Sequence, residues 1–208
     1  MGSSAGTDGG SLSASSRERM VATAAALFGS RGIGASSFEE ILAASHAPRG
    51  SIYYHFPDGK RQLVQEALRW TSEQLLQHQS ALRAGTPPQV VDHFVAFFRR
   101  SAVASRCRAG CPVAAVVVSN YAQDPALARL VRATFRSWTS LLARQLREAG
   151  LSTAHARALA TATLASVEGA LILTRVEGSV APLLAVRGEL RSLAETLPRR
   201  PKRAASAT

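Results

Sequence analysis

Apolar residues recur along this chain at spacings of three and four, the period of a helix, and hardly anywhere in strict alternation. Met20, Val21, Ala24, Leu27 and Phe28 predict an amphipathic helix over residues 17–31 that stops at Gly32, with Gly34 loosening the loop further. Ser37 and Glu40 have the spacing of a capping box, in which the hydroxyl accepts an amide proton and the carboxylate reaches back to the cap. Phe38, Ile41 and Leu42 then give one apolar face to a helix of about two turns. Ser45, His46, Ala47 and Pro48 predict a break before a short third helix over residues 49–56. Pro48 suits its first turn, Pro57 cannot prolong it, and Ile52 and Phe56 pin it to its own domain.

The rest of the chain reads the same way. Asp58 is a candidate N-cap for a helix to about Leu82, striped by Leu63, Val64, Ala67, Leu68, Leu75 and Leu76. Residues 84–88 break it, and a fifth helix covers residues 89–105 with Val91, Phe94, Val95 and Phe98 on one face. After a turn at residues 106–112 comes a short apolar helix to Tyr121, then one over residues 127–149 begun by Asp124 and Pro125 and ended by Gly150. Ser152 or Thr153 caps a helix over residues 154–178, and Pro182 opens a last one to Leu197. Residues 114–118 are rich in valine but too short to argue for a sheet, so the fold class is all-α. The expected organisation is a disordered arm (residues 1–14), a three-helix head (15–62), a larger helical domain (63–198) and a basic frayed tail (199–208).

The third helix carries the chemistry. Arg49, Ser51, Tyr53, Tyr54 and His55 can all donate hydrogen bonds to phosphate or base edges, and Gly50 permits close backbone approach. Three helices with the third reading a major groove is helix-turn-helix geometry. An ordinary surface helix of a bundle would leave this cluster unexplained.

Ala24, Leu27, Phe28, Gly32, Ser37, Ile41, then Gly50, Ile52, Tyr53, His55, Phe56, then Lys60 and Leu63 together resemble the DNA-binding half of TetR/AcrR-family regulators. Gly110-Cys-Pro-Val113, opening a mid-chain helix, is similar to the LmrA/YxaF-like subgroup. The resemblance implies phosphate contacts for Ser37, Tyr54, His55 and Lys60, with Arg49, Gly50, Ser51 and Tyr53 nearer the bases. Pro48 departs from the small polar residue usual at its position and removes one donor. The family also implies double-stranded DNA with a palindromic operator as partner, a homodimer, and a small hydrophobic effector in the second domain.

Charge changes this picture less than it promises. The chain carries +11 overall. Yet residues 1–62 hold six basic groups (Arg17, Arg19, Arg31, Arg49, Lys60, Arg61) against five acidic ones (Asp8, Glu18, Glu39, Glu40, Asp58), leaving +1 where DNA should bind. Salt dependence follows the phosphates contacted and not total charge, so the motif carries the DNA reading. The 46% apolar content fits a globular protein. Residues 1–16 lack the apolar run of a signal peptide, and residues 160–173 are short and interrupted by Glu168, so no membrane partner and a cytoplasmic location are expected.

Several features stay open at this level. Cys107 and Cys111 are too few for a structural zinc site unless His93 or another residue joins, and otherwise are packed thiols or a redox pair whose acidity Arg106 and Arg108 would raise. No metal and no cofactor are expected. Trp70, Phe94, Phe97, Phe98, Val117, Tyr121, Trp138, Leu142 and Leu171, with Phe135, line an effector pocket or simply fill a core. His93, Asn120 and Arg175 are polar residues able to orient a ligand there. Ala162, Ala165 and Gly169 permit close helix approach and, with Leu183, Leu190 and Leu193, make a four-helix dimer interface or serve internal packing. The expected function is a ligand-released dimeric repressor, the alternative a regulator switched by oxidation or a partner. An enzyme built on Cys111 and His93 lacks any supporting motif.

Overall fold

Local caps decide where the helices of this computed structural model begin; it describes residues 15–48, 50–83, 85–119 and 123–199. In chain order they are α1 (Ser16–Arg31), α2 (Phe38–Ser45), α3 (Ser51–His55), α4 (Gly59–Ser80), α5 (Pro87–Ala104), α6 (Pro112–Val117), α7 (Pro125–Glu148), α8 (Thr153–Glu177) and α9 (Ala181–Thr196). No strand occurs among the described residues, so the all-α class stands.

The capping box of α2 forms as its spacing requires, Glu40 donating its amide to Ser37 Oγ at 3.2 Å and Glu40 Oε2 accepting from Ser37 N at 3.0 Å. A second capping box escaped the pattern reading. Ser15 and Glu18 exchange the same two bonds, which starts α1 one residue before the expected Arg17. Gln89 likewise accepts from Thr86 N at 2.8 Å, so α5 begins two residues early, with its paired prolines in the first turn where no amide donor is required.

Four expectations need correction. Asp58 precedes α4 but makes no side-chain cap; its own amide donates instead to Gln62 Oε1 at 3.1 Å. Helix α4 ends at Ser80 rather than Leu82, and α6 at Val117 rather than Tyr121. Pro48 lies outside α3, because Gly50 takes a left-handed conformation (φ 85°) and serves as N-cap. The Pro48 carbonyl accepts from both the amide and the hydroxyl of Ser51, at 3.1 and 2.7 Å.

Helix α1 packs on α2, α3 and α4, while α4 runs on against α5, α6 and α7. Helices α5, α7, α8 and α9 close the larger body. The head's interior is Met20, Phe28, Ile33, Ile41, Ile52 and Phe56, all 0% exposed, and each such side chain stabilises the fold by ~1.5–3 kcal/mol. The same buried cluster continues along α4 into Leu75, Phe94, Trp138 and Leu142. Besides the continuous helix α4 and the packing of α1 on α6, three polar contacts tie head to body among the described residues. Gly110 N donates to Gly29 O at 2.8 Å, Arg175 Nη2 to Ser30 O at 2.8 Å, and Arg61 pairs with Asp124 at 2.5 Å. Arg199, expected at the start of a frayed tail, donates to Ala149 O at 2.9 Å; residues 1–14 and 200–208 lie outside the described residues.

Candidate nucleic-acid interface and cavity

The recognition helix owes its exposure to its shortness. Five residues make barely more than one turn, so Ile52 and the following Phe56 can be fully buried while Tyr53 and Tyr54 stand 66% and 84% exposed. The turn before it is set by His46, left-handed at φ 53°, with Ala47 N bonded to Leu42 O at 3.2 Å. Arg17 braces it from behind, its guanidinium 5.6 Å from the Phe56 ring centroid and 2.6 Å from Glu66. Tyr53 meets Phe38 edge-to-face at 5.7 Å, which orients one phenol relative to the N-terminal turn of α2.

Ser37, Gly50, Tyr53 and Tyr54 are exposed, and Ser51, His55 and Lys60 half-exposed. The Ser51 hydroxyl proton is engaged by Pro48, leaving its lone pairs to accept. Burial lowers the Lys60 ammonium below its ordinary pKa, partly offset by the nearby Glu40 carboxylate. Glu40 in turn is held by Arg31 at 2.7 Å. Arg49 lies outside the described residues.

Behind the head, α1, α4, α5, the 105–112 turn and α8 surround a cavity of about 1080 Å³. Trp70, Phe97, Phe98 and Leu171, all named from the sequence, border it. Phe94, Trp138 and Leu142 do not; they are buried at 1%, 1% and 0% in the core, where Trp138 Nε1 donates to Ser72 Oγ at 3.2 Å. Val117 is 54% exposed and away from the cavity wall, while Asn120 and Tyr121 lie outside the described residues. His93 is committed elsewhere: it stacks on His78 at 4.0 Å, and each imidazole Nε2 donates to the other's carbonyl, at 2.8 and 2.7 Å. The sequence reading missed the α1 side of the wall (Ala22, Ala25, Ala26, Leu27, Ser30) and the arginines around it, since both come from segments far apart in the chain.

A model of the bacterial regulatory proteins of the tetR family matches residues 20–67, and one of the LmrA/YxaF-like transcriptional regulator C-terminal domain matches residues 87–189. An HTH-type transcriptional regulator of Mycobacterium tuberculosis is 36% identical over 183 residues, covering 85% of this chain and 93% of that one. The chain belongs to the TetR family. Within the family, LmrA of Bacillus subtilis is 30% identical over 173 residues, covering 81% of this chain and 91% of its own. Among solved structures, a TetR regulator from Chloroflexus aurantiacus shares 26% identity at a TM-score of 0.69 (88% of this chain, 96% of that one). One from Legionella pneumophila shares the fold at 22% identity and a TM-score of 0.79 (88% and 98%). The protein is thus a DNA-binding transcriptional regulator and not an enzyme.

In this TetR-family chain the cysteines are free, and Cys111 does not show the lowered thiol value a redox pair would need. Cys111 is buried, and burial reinforced by the Glu168 carboxylate pushes its thiol well above the ordinary value. A protonated buried thiol is a poor nucleophile. Glu168 is itself raised to about 7 by burial, against the hydrogen bond it shares with Cys111, and its Oε1 has no partner. Cys107 is half-buried on the cavity wall.

The last two helices present two apolar faces. Leu183 and Leu190 point into the protomer at 0% and 6% exposure. Ala165, Gly169 and Leu193 lie on the outer surface, continuous in sequence with exposed Ile172, Leu173, Val176 and Leu184, and Ala162 is half-exposed. Helix α8 is long and apolar enough to cross a bilayer by length and composition, with 39% of its most apolar window buried.

Proposed function

We propose that two copies of this chain bind a pseudo-palindromic operator as a repressor, and that a small molecule in the cavity releases them. The observation carrying this reading is that one wall of the cavity is α1 of the reading head itself, through Ala22, Ala25, Ala26 and Ser30. A ligand there changes the packing of the head directly, beside any push it gives α4 through Trp70 and Thr71. In this reading residues 15–62 are the head and residues 63–198 the effector and dimerisation domain, with the cavity shared between them.

In this reading Ser37, Tyr54, His55 and Lys60 hold phosphates, while Arg49, Gly50, Ser51 and Tyr53 face the bases. The exposed apolar face of α8 and α9 is the dimer seam, since Ile172, Leu173, Val176, Leu184 and Leu193 all stand open to solvent there and call for a cover. Dimerisation sets the two heads about 34–36 Å apart, the spacing of successive major grooves. A DNA target places the protein in the cytoplasm.

Ligand affinity measured with and without saturating operator tests the switch. Coupling of ~1–3 kcal/mol makes operator weaken the ligand 5- to 150-fold, by the same factor as the ligand weakens operator. Equal affinities for a ligand seated in the cavity remove the cavity from the mechanism.

A further inference from the structure

The cavity is walled by one sign of charge. Among the described residues Arg31, Arg100, Arg106, Arg108 and Arg175 border it, and no aspartate or glutamate does. The chain as a whole has 25 basic and 14 acidic residues, so a patch of average composition would carry acids as well. Three of these arginines are engaged: Arg31 with Glu40, Arg100 with His78 Nδ1 at 2.9 Å, and Arg175 with the Ser30 carbonyl. The side chains of Arg106 and Arg108 have no ion pair or hydrogen bond among the described residues.

The turn that carries them is strained. Arg106 and Cys107 are consecutive left-handed residues, φ 52° and 60°, with no glycine to relieve them. Such conformations persist only where surrounding bonds over-determine them, and they gather at ligand clamps. Here Cys107 N donates to Ala102 O at 2.7 Å, Arg108 N to Ser105 O at 3.2 Å, and Ala109 N to Ser105 Oγ at 3.0 Å. Elsewhere the wall is apolar, through Trp70, Phe97, Phe98 and Leu171.

We infer that the cavity takes an organic anion with an apolar body, its anionic oxygens gripped by Arg106 and Arg108. The planar guanidinium fork matches a carboxylate or phosphate, and a bound anion relieves the mutual repulsion of the two cations. The inference rests on the cavity being the effector site and replaces the purely hydrophobic effector expected from the family. It also supplies a path: the far end of the same turn, Gly110, holds the Gly29 carbonyl of α1.

Titration of the full chain without DNA, read by Trp70 fluorescence with Trp70→Phe as the blank, tests this. The probes are decanoate, decyl phosphate, decanol and decylammonium, all below their micelle concentrations. Both anions should bind at least tenfold tighter than decanol, and decylammonium not at all. The Arg106→Gln/Arg108→Gln variant should bring the anions down to decanol's affinity and leave decanol unchanged. Salt should weaken decanoate and not decanol in the unaltered chain, a readout independent of how the variant folds. Decanol binding as tightly as decanoate, no anion binding up to millimolar concentration, or an anion preference that survives the double variant overturns the inference. Operator release is scored separately. Anions that bind without releasing DNA support the anion site and break the effector reading; release by decanol alone does the reverse.

Discussion

The reading head and the cavity behind it share helix α1, yet they are built by opposite rules. The head is contiguous in sequence, held by two capping boxes and a core in which Met20, Phe28, Ile33, Ile41, Ile52 and Phe56 are wholly buried. Its charge is close to balanced, and its outward chemistry is aromatic and hydroxylic. The cavity is assembled from α1, α4, α5, the 105–112 turn and α8, is loosely filled, and gathers five arginines and no acid. Helix α3 itself carries no arginine or lysine, whereas the cavity wall gathers five arginines. For DNA, hydrogen-bond donors at fixed positions do the reading, and an excess of charge there would only raise non-specific affinity. For a ligand entering an open cavity, concentrated charge supplies both attraction and discrimination.

The difference in packing gives the largest expected effect. Phe56→Ala empties a closed core and should cost ~3–5 kcal/mol, with loss of operator binding. Phe98 is 4% exposed and borders the cavity, so the space left by Phe98→Ala merges with a void already open to water. Its cost should be smaller, because part of the penalty for truncation is the new cavity. Paired denaturant melts decide this; equal costs would mean the cavity is closed in solution.

Next in size is Glu168, behind the cavity beside Cys111. Its carboxyl titrates near 7 in the folded chain against an ordinary 4.5, so between those values the folded state holds a proton that the unfolded state has released. Stability must fall as pH rises through that window and level off above it. The whole gap is worth at most ~3 kcal/mol. Glu168→Gln should stabilise the protein at pH 8 by up to that amount and change little at pH 4.5. The same stability change at both pH values would show that the carboxyl titrates normally.

What could be read from residues alone divides along the same line. Ser37 with Glu40, and Ile52 with Phe56, are partners within one turn, so spacing identifies them, and the head was legible almost whole. Errors within it were equally local: Asp58 makes no side-chain cap and instead gives its own amide to Gln62, and a left-handed Gly50 put Pro48 outside α3. The cavity was half-legible. Trp70, Phe97, Phe98 and Leu171 stood out as large apolar residues, but periodicity cannot separate a wall residue from Phe94, Trp138 or Leu142 in the core behind it. Nor can it show Arg31, Arg100 and Arg175 converging with Arg106 and Arg108, because that is a tertiary fact. The same limit applies to α9, where Leu183 and Leu193 belong to one apolar pattern but face inward and outward.

The shared wall itself is tested at Gly29. Alanine in mid-helix ordinarily gains up to ~1 kcal/mol over glycine. Here a Cβ would lie 2.5 Å from the Gly110 carbonyl oxygen, which is backbone and cannot swing aside. Overpacking of this kind costs ~1–3 kcal/mol, so the clash should win and Gly29→Ala should melt lower. A gain in stability would mean that the 105–112 turn is free to move off α1, and that the path from cavity to head does not run through this contact.

The smallest effect concerns the other tie between the two regions, Arg61 on the first turn of α4 with Asp124 ahead of α7. The guanidinium beside Asp124 holds its carboxyl at about 2 against an ordinary 3.8. A depressed acid contributes stability that is complete above its unfolded value and is lost as pH falls from 3.8 toward about 2, so the pair is intact at neutral pH. Arg61 is 56% exposed, so solvent screens the pair and its contribution is small. Asp124 has a second role, since its Oδ1 accepts from Ala126 N at 2.8 Å and Leu127 N at 3.3 Å and so caps α7. Losing a cap costs ~0.5–2 kcal/mol. Asp124→Ala should therefore lower the melting temperature more than Arg61→Gln does, and Asp124→Asn, which keeps a capping oxygen, should fall close to Arg61→Gln. If Arg61→Gln instead matched Asp124→Ala, the ion pair rather than the cap would hold this end of the body, and head and body would be bolted together more firmly than the open cavity between them suggests.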